Sequence, residues 1–216
     1  MFLTDLIYWI IFWLLGWGIF FLLWKKYLHY ILHPFLVALH FLLFTILSII
    51  LFKKELIPLV DGFTIVPFAL LFLVIMITIG VYFLSHSYLT RPTKLIEKYP
   101  REFFLAMDYR YMFSKSFEIL FQQVMVVILV LLLWEEGLNI VSICALFATV
   151  FGIVHIPLIR TEGWFFGCFF TVSSALSGIL FPPLILKVHY GFVYTYTIHW
   201  VYYTVSGVFF WIYKPR

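Results

Sequence analysis

Residues Ser116 to Trp134 read Ser-Phe-Glu-Ile-Leu-Phe-Gln-Gln-Val-Met-Val-Val-Ile-Leu-Val-Leu-Leu-Leu-Trp. A helix needs roughly 20 apolar residues to cross about 30 Å of hydrocarbon, and this run has that length. Lys115 bounds it on one side and Glu135-Glu136-Gly137 on the other. One carboxylate, Glu118, lies in its first turn, with Gln122 one turn further on the same face. An ionisable group inside such a run is costly, and it faces a bundle interior or a wet cavity. The stretch therefore speaks for a membrane helix and marks where function should be sought.

The rest of the chain has the same character. Its 216 residues are 65% hydrophobic, 23% aromatic and 11% charged, too apolar for a soluble domain of this size. The aromatic content suits interfacial Trp and Tyr belts. Seven spans can be read, near residues 6–24, 27 or 31–52, 63–83, 116–134, 138–159, 164–186 and 190–213. The expected fold is all-α, a polytopic membrane helix bundle. No length remains for a soluble catalytic domain, so any chemistry lies in the membrane or at its surface. Cys144 and Cys168 sit in apolar runs, outside any zinc or redox spacing, and read as small packing residues. The net charge of +4 points to membrane lipids, with basic residues beside the spans, and not to nucleic acid.

The longest polar segment, residues 91–115, mixes charges with Phe103, Phe104, Leu105, Met107 and Met112. That pattern predicts an amphipathic helix after Pro100, lying in the cytoplasmic interface before the fourth span. It divides the chain into a three-helix part (1–90), the interfacial segment (91–115) and a four-helix core (116–216). With the N-terminus outside, the inner side holds Lys25, Lys26, Arg91, Lys94, Lys98, Arg101, Arg110, Lys115, Arg160, Lys214 and Arg216. The outer side holds only Lys53, Lys54 and Lys187, so the positive-inside rule predicts N-out and C-in. The lack of a basic stretch before the first span argues against a cleaved signal peptide. Pro182-Pro183 is expected to break the end of the sixth span.

Two histidines join Glu118 inside spans. His155 lies five residues before Arg160, and His199 lies nearer mid-span, with Tyr203 and Ser206 following on its face. A carboxylate and two imidazoles can activate water, directly or through a metal. Each also has a plain reading. Glu118 pairs with Lys115, His155 bonds a carbonyl freed by Pro157, and His199 is a hydrogen-bond donor between helices. His29, His33 and His40 fall at helical offsets on one face, and a haem held between His40 and a histidine on another span, for electron transfer, forms a third, remote reading.

The spacing of these residues resembles the CPBP family of intramembrane proteases, which includes the CAAX prenyl endopeptidases. That family carries Glu-Glu-x-x-x-Arg, then Phe-x-x-x-His, then His-x-x-x-Asn or a similar residue. Phe151-Gly-Ile-Val-His155 matches the second motif, and His199-Trp-Val-Tyr-Tyr203 matches the third at its histidine. The stretch Phe117-Glu-Ile-Leu-Phe-Gln-Gln-Val-Met125 is similar to the first, with departures. In the better register Phe117 stands for the first Glu, Glu118 keeps the second and Gln122 replaces Arg; shifted by one, Ile119 and Gln123 fall at the second Glu and at Arg. The resemblance covers roughly residues 116–213. It implies peptide-bond hydrolysis near the cytoplasmic side of a prokaryotic cell membrane, on a transmembrane or lipidated protein substrate. It implies Glu118, His155 and His199 as catalytic residues, supported by Gln122, Tyr203 and Phe151, with zinc on the first three as a possible cofactor. The lost carboxylate and arginine motivate the alternative, a catalytically inactive relative that binds proteins in the membrane. Glu118 would have to replace a base about 100° away around the helix axis.

Overall fold

The computed structural model describes residues 2–24, 27–60, 64–100 and 102–213. Phe63 and five basic residues used for orientation, Lys25, Lys26, Arg101, Lys214 and Arg216, lie outside the described residues. The order of elements is α1 (Phe2–Leu23), α2 (Pro34–Leu51), α3 (Lys53–Leu56), α4 (Val66–Tyr88), α5 (Thr93–Lys98), α6 (Tyr109–Glu135), α7 (Ile140–His155), α8 (Leu158–Thr161), α9 (Gly163–Lys187) and α10 (Gly191–Tyr213). Single 3-10 turns cover Ile57–Val60 and Phe103–Ala106. No strand occurs among the described residues.

The molecule is an all-α polytopic membrane bundle. Among the described residues six helices are long and apolar enough to cross a bilayer: α1, α2, α4, α6, α9 and the stretch Ile140–Thr161 that joins α7 to α8. The remaining long helix, α10, has 23 residues, about 34 Å of rise. Its Tyr, Thr, His and Trp content leaves its most apolar stretch less hydropathic than those of the other six.

Helix α6 is the axis. Fourteen of its 27 residues are buried, against two in α1 and three in α4. It starts at Tyr109, two turns before the expected start, because Asp108 caps it: Oδ1 accepts from the Arg110 amide at 2.8 Å. On one side α1 and α2 pack through an aromatic core in which Phe20, Phe41 and Phe121 are buried and Trp13 stacks on Phe121. Trp9 Nε1 donates to the Met125 carbonyl at 2.7 Å, fixing α1 to α6. On the other side α10 packs on α4, α6 and α9. Trp200 Nε1 donates to Ser116 Oγ at 2.7 Å, tying α10 to α6.

Two expectations need correction. The segment after Pro100 is not an amphipathic helix on the surface. Helix α5 ends before Pro100, and the following 3-10 turn tucks inward, burying Phe104, Leu105 and Met107 against the bundle. Trp211 Nε1 donates to the Leu105 carbonyl at 2.7 Å and holds it there. Burying these apolar groups on α9 and α10 outweighs a place in the headgroups.

Nor does Pro182-Pro183 end its helix; α9 continues to Lys187. Each proline removes an i→i−4 hydrogen bond, which frees the Gly178 and Ile179 carbonyls. Cys144 Sγ reaches from α7 to the Ile179 carbonyl at 3.5 Å and supplies a replacement donor. Cys144 is thus more than a packing residue. Helices α7 and α9 approach closely enough for this because Gly178 lies against the Ala148 backbone.

Candidate functional site

Lys115, Glu118 and Gln122 share one face of α6 by their i, i+3 and i+4 relations. Lys115 Nζ donates to Glu118 Oε1 at 2.6 Å, and Gln122 Nε2 donates to the same oxygen at 2.8 Å. Tyr30 OH, from the α1–α2 connection, donates to Glu118 Oε2. Among the described residues these three are the hydrogen-bond partners of Glu118, which is 2% exposed. Both oxygens are therefore engaged, and neither bonds to an imidazole.

The counter-charge is enclosed as well. Lys115 Nζ lies 4.5 Å from the centre of the Tyr203 ring and 5.8 Å from that of Tyr30, both cation–π distances. Ser114 Oγ reaches the Tyr30 carbonyl at 3.3 Å, and the Tyr30 ring packs edge-on against Tyr111. Burial first, and then the Glu118 charge, push the Tyr30 phenol well above its ordinary range, so it remains an O–H donor. The cluster bonds the α1–α2 connection, α6 and α10 into one unit.

Neither histidine hydrogen-bonds to this acid. His155, at the C-terminal end of α7, donates Nδ1–H to the Phe151 carbonyl at 2.7 Å. The plain reading of His155 pointed to a carbonyl freed by Pro157; the partner is instead one turn back in its own helix. His199 Nδ1 accepts from Gln123 Nε2 at 2.8 Å, and its ring stacks on Tyr203 with centres 5.8 Å apart. His155 and His199 are near enough to interact electrostatically, and each also feels Lys115. The partners fix opposite tautomers: a neutral His155 keeps an Nε2 lone pair, and a neutral His199 keeps an Nε2–H. Phe151 packs beside Phe147 and is structural support for the turn that carries His155.

The expected metal set does not form. Among the described residues no three His, Cys, Asp or Glu side chains gather as a possible metal site, so Glu118, His155 and His199 do not fit a zinc ion. The haem reading also loses its geometry. Helix α2 begins at Pro34, with His33 as its N-cap and His29 in the preceding turn, so the three histidines do not lie along one regular helix. His29 Nδ1 accepts from the Ile31 and Leu32 amides, and His40 Nε2 meets the Gly16 carbonyl at 2.9 Å.

Sequence reasoning named Lys115 as the plain partner of Glu118 but missed Tyr30 and gave Gln123 no role of its own. Tyr30 is 88 residues from Glu118 and carries no local signal. Gln123 was visible as a second amide in an apolar run.

A second buried acid, Glu102, lies between α5 and the 3-10 turn and is 8% exposed. Burial, and then the nearby Glu162 charge, push its carboxyl up to about 8, although Lys115 opposes this. A carboxyl raised in this way takes up a proton on folding. Its contribution to stability is complete below the ordinary value of 4.5 and is lost as pH rises through about 8. Melting temperature is therefore expected to fall between about pH 5 and 9 more in the parent protein than in Glu102→Gln. Parallel pH profiles would refute this.

No protein-family model, curated protein or solved structure matches the chain.

Proposed function

We propose that this chain is an integral membrane protein, built like a CPBP protease core, that binds hydrophobic segments of other proteins without cutting them. The observation that carries this reading is the engagement of Glu118 by Lys115, Tyr30 and Gln122. A general base must reach the proton that it takes, directly or through one water. Three of the roughly four acceptor sites of this carboxylate are filled, one of them by an ammonium, and no hydrogen bond links it to either imidazole. The first motif position holds Phe117, which packs against the aromatic core and accepts no proton. The resemblance and the charge distribution support reading it as a protein of a prokaryotic cell membrane, N-terminus outside and C-terminus cytoplasmic. Its partners are then membrane lipids and a transmembrane or lipidated protein.

One observation favours a second reading, an active protease. His155 and His199 retain a lone pair and an N–H on their outer nitrogens, the base and the oxyanion donor that hydrolysis requires.

The test uses purified protein in liposomes with a library of transmembrane peptides. Binding without new peptide termini by mass spectrometry is the expected result. Phe117→Glu combined with Gln122→Arg, which restores the motif, is expected to introduce cleavage. Turnover by the unaltered protein that disappears in His155→Ala and Glu118→Ala, and survives in His29→Ala, would establish the protease instead.

A further inference from the structure

Helix α4 packs on α10, and no comparable packing joins it to α6. A cleft of about 360 Å³ lies in the gap, with Ile79 and Phe83 of α4, Met112 and Phe113 of α6 and Trp200 of α10 among its walls. Glu118, His155 and His199 do not line it. Ile79, Phe83 and Phe113 are exposed, so the mouth opens on the bilayer.

From Ile75 to Phe83 the wall runs about 12 Å along α4. That is close to half of a hydrocarbon core roughly 30 Å thick. One end lies at Tyr109, the first residue of α6, so the cleft runs from an interface toward the midplane. This is the course of one acyl chain in one leaflet. The polar atoms of the wall are spent within the protein. Ser116 Oγ accepts from Trp200 and donates to the Met112 carbonyl, and Thr78 Oγ1 donates to the Val74 carbonyl. Thr204 Oγ1 is enclosed and offers nothing to a ligand. Such a space does not hold water, and left empty it forfeits dispersion contacts.

The rim carries both signs of charge. Tyr82 and Tyr109 line the cleft, and the Tyr82 hydroxyl is near enough to Asp108 and Arg110 to interact electrostatically. Arg110 gives Asp108 two of its five side-chain N–H groups. Asp108 Oδ1 takes the Arg110 amide and Nε, and Oδ2 takes one terminal nitrogen, which leaves one of about four acceptor sites. Arg110 can therefore also bind a phosphate, and Asp108 one N–H of an ammonium. A zwitterionic headgroup meets both charges, whereas a purely anionic one meets Asp108 with like charge.

We infer that this cleft holds one acyl chain of a phosphatidylethanolamine, with its phosphate on Arg110 and its ammonium on Asp108. The site is independent of whether the protein cuts or only binds polypeptides.

The experiment is native mass spectrometry of the full chain in detergent, given equal amounts of phosphatidylethanolamine and phosphatidylglycerol with the same acyl chains. One retained phospholipid per chain is expected, with phosphatidylethanolamine favoured roughly five-fold, the upper value for an exposed ion pair. Asp108→Asn keeps a good helix cap and is expected to abolish that preference. Met112→Trp fills the cleft and is expected to abolish retention, while Phe72→Trp, on the exposed face of α4 outside the cleft, is expected to leave it unchanged. Should Met112→Trp fail to fold, a phosphatidylethanolamine with a diazirine at its chain end decides: adducts on Ile75 or Trp200 are expected. No retained phospholipid, no headgroup preference, a preference that survives Asp108→Asn, or adducts confined to faces outside the cleft each overturn the inference. Displacement of the phospholipid by a farnesylated peptide also overturns it, because the cleft then belongs to a lipidated protein.

Discussion

Lys115→Met is expected to lower stability by about 3–5 kcal/mol, the cost of leaving one member of a buried ion pair without its partner. Glu118 would keep Tyr30 and Gln122 as donors but lose its counter-charge. The expected remedy is removal of the acid too. Lys115→Met combined with Glu118→Leu is expected to recover part of the loss, because it removes the uncompensated charge but leaves the Tyr30 hydroxyl and the Gln122 amide without their acceptor. Thermal unfolding in detergent micelles measures both variants. A double variant as unstable as the sum of its parts would mean that the two residues do not act as a pair.

Gly178→Leu is the second large effect, about 3 kcal/mol, at the upper end for overpacking a closed interior. Even a Cβ at this position would lie 2.4 Å from the Ala148 amide nitrogen, and backbone cannot retreat as a side-chain tip can. Helix association in a bilayer depends on close packing, so forcing α7 from α9 removes its main source of stability. It also pulls Cys144 from the carbonyl freed by Pro183. Gly152→Ala, whose Cβ would meet Ala175 at an ordinary 3.6 Å, is expected to be nearly neutral. Chemical unfolding of both variants in mixed micelles checks the contrast; comparable losses would show that the approach at Gly178 is not limiting.

The bundle was legible because lipid demands long apolar runs and little else. Such a rule acts on composition along the chain, so α9 and α10 could be read almost to their ends, and α1, α2 and α4 less closely. It says less about caps and breaks. The Asp108 cap lengthens α6 beyond its apolar run, and the Cys144 thiol meets one of the two carbonyls that the prolines free in α9. Both effects belong to single side chains. The 3-10 turn at Phe103–Ala106 was misread for a related reason: Phe104 and Leu105 suit an interfacial helix and a buried plug equally well, and only the grooves of α9 and α10 decide.

The site divides in the same way. The pairing of Lys115 with Glu118 follows from i, i+3 spacing and could be read locally. His155 and His199 were found as ionisable groups at membrane depth. Tyr30 comes from a connection far away in sequence, and it turns the pair into a cluster that engages both carboxylate oxygens. The step from a candidate base to a structural acid thus depends on a long-range contact that no spacing rule contains.

The account stands on where the Glu118 carboxylate is held. Dipolar recoupling by solid-state NMR in lipid bilayers, with carbon-13 at the Glu118 carboxyl and nitrogen-15 at Lys115 Nζ and in the histidine rings, measures this directly. A strong coupling to Lys115 Nζ is expected, consistent with the 2.6 Å contact, with none to His155 or His199. A Glu118 carboxyl coupled to either imidazole and not to Lys115 would contradict it.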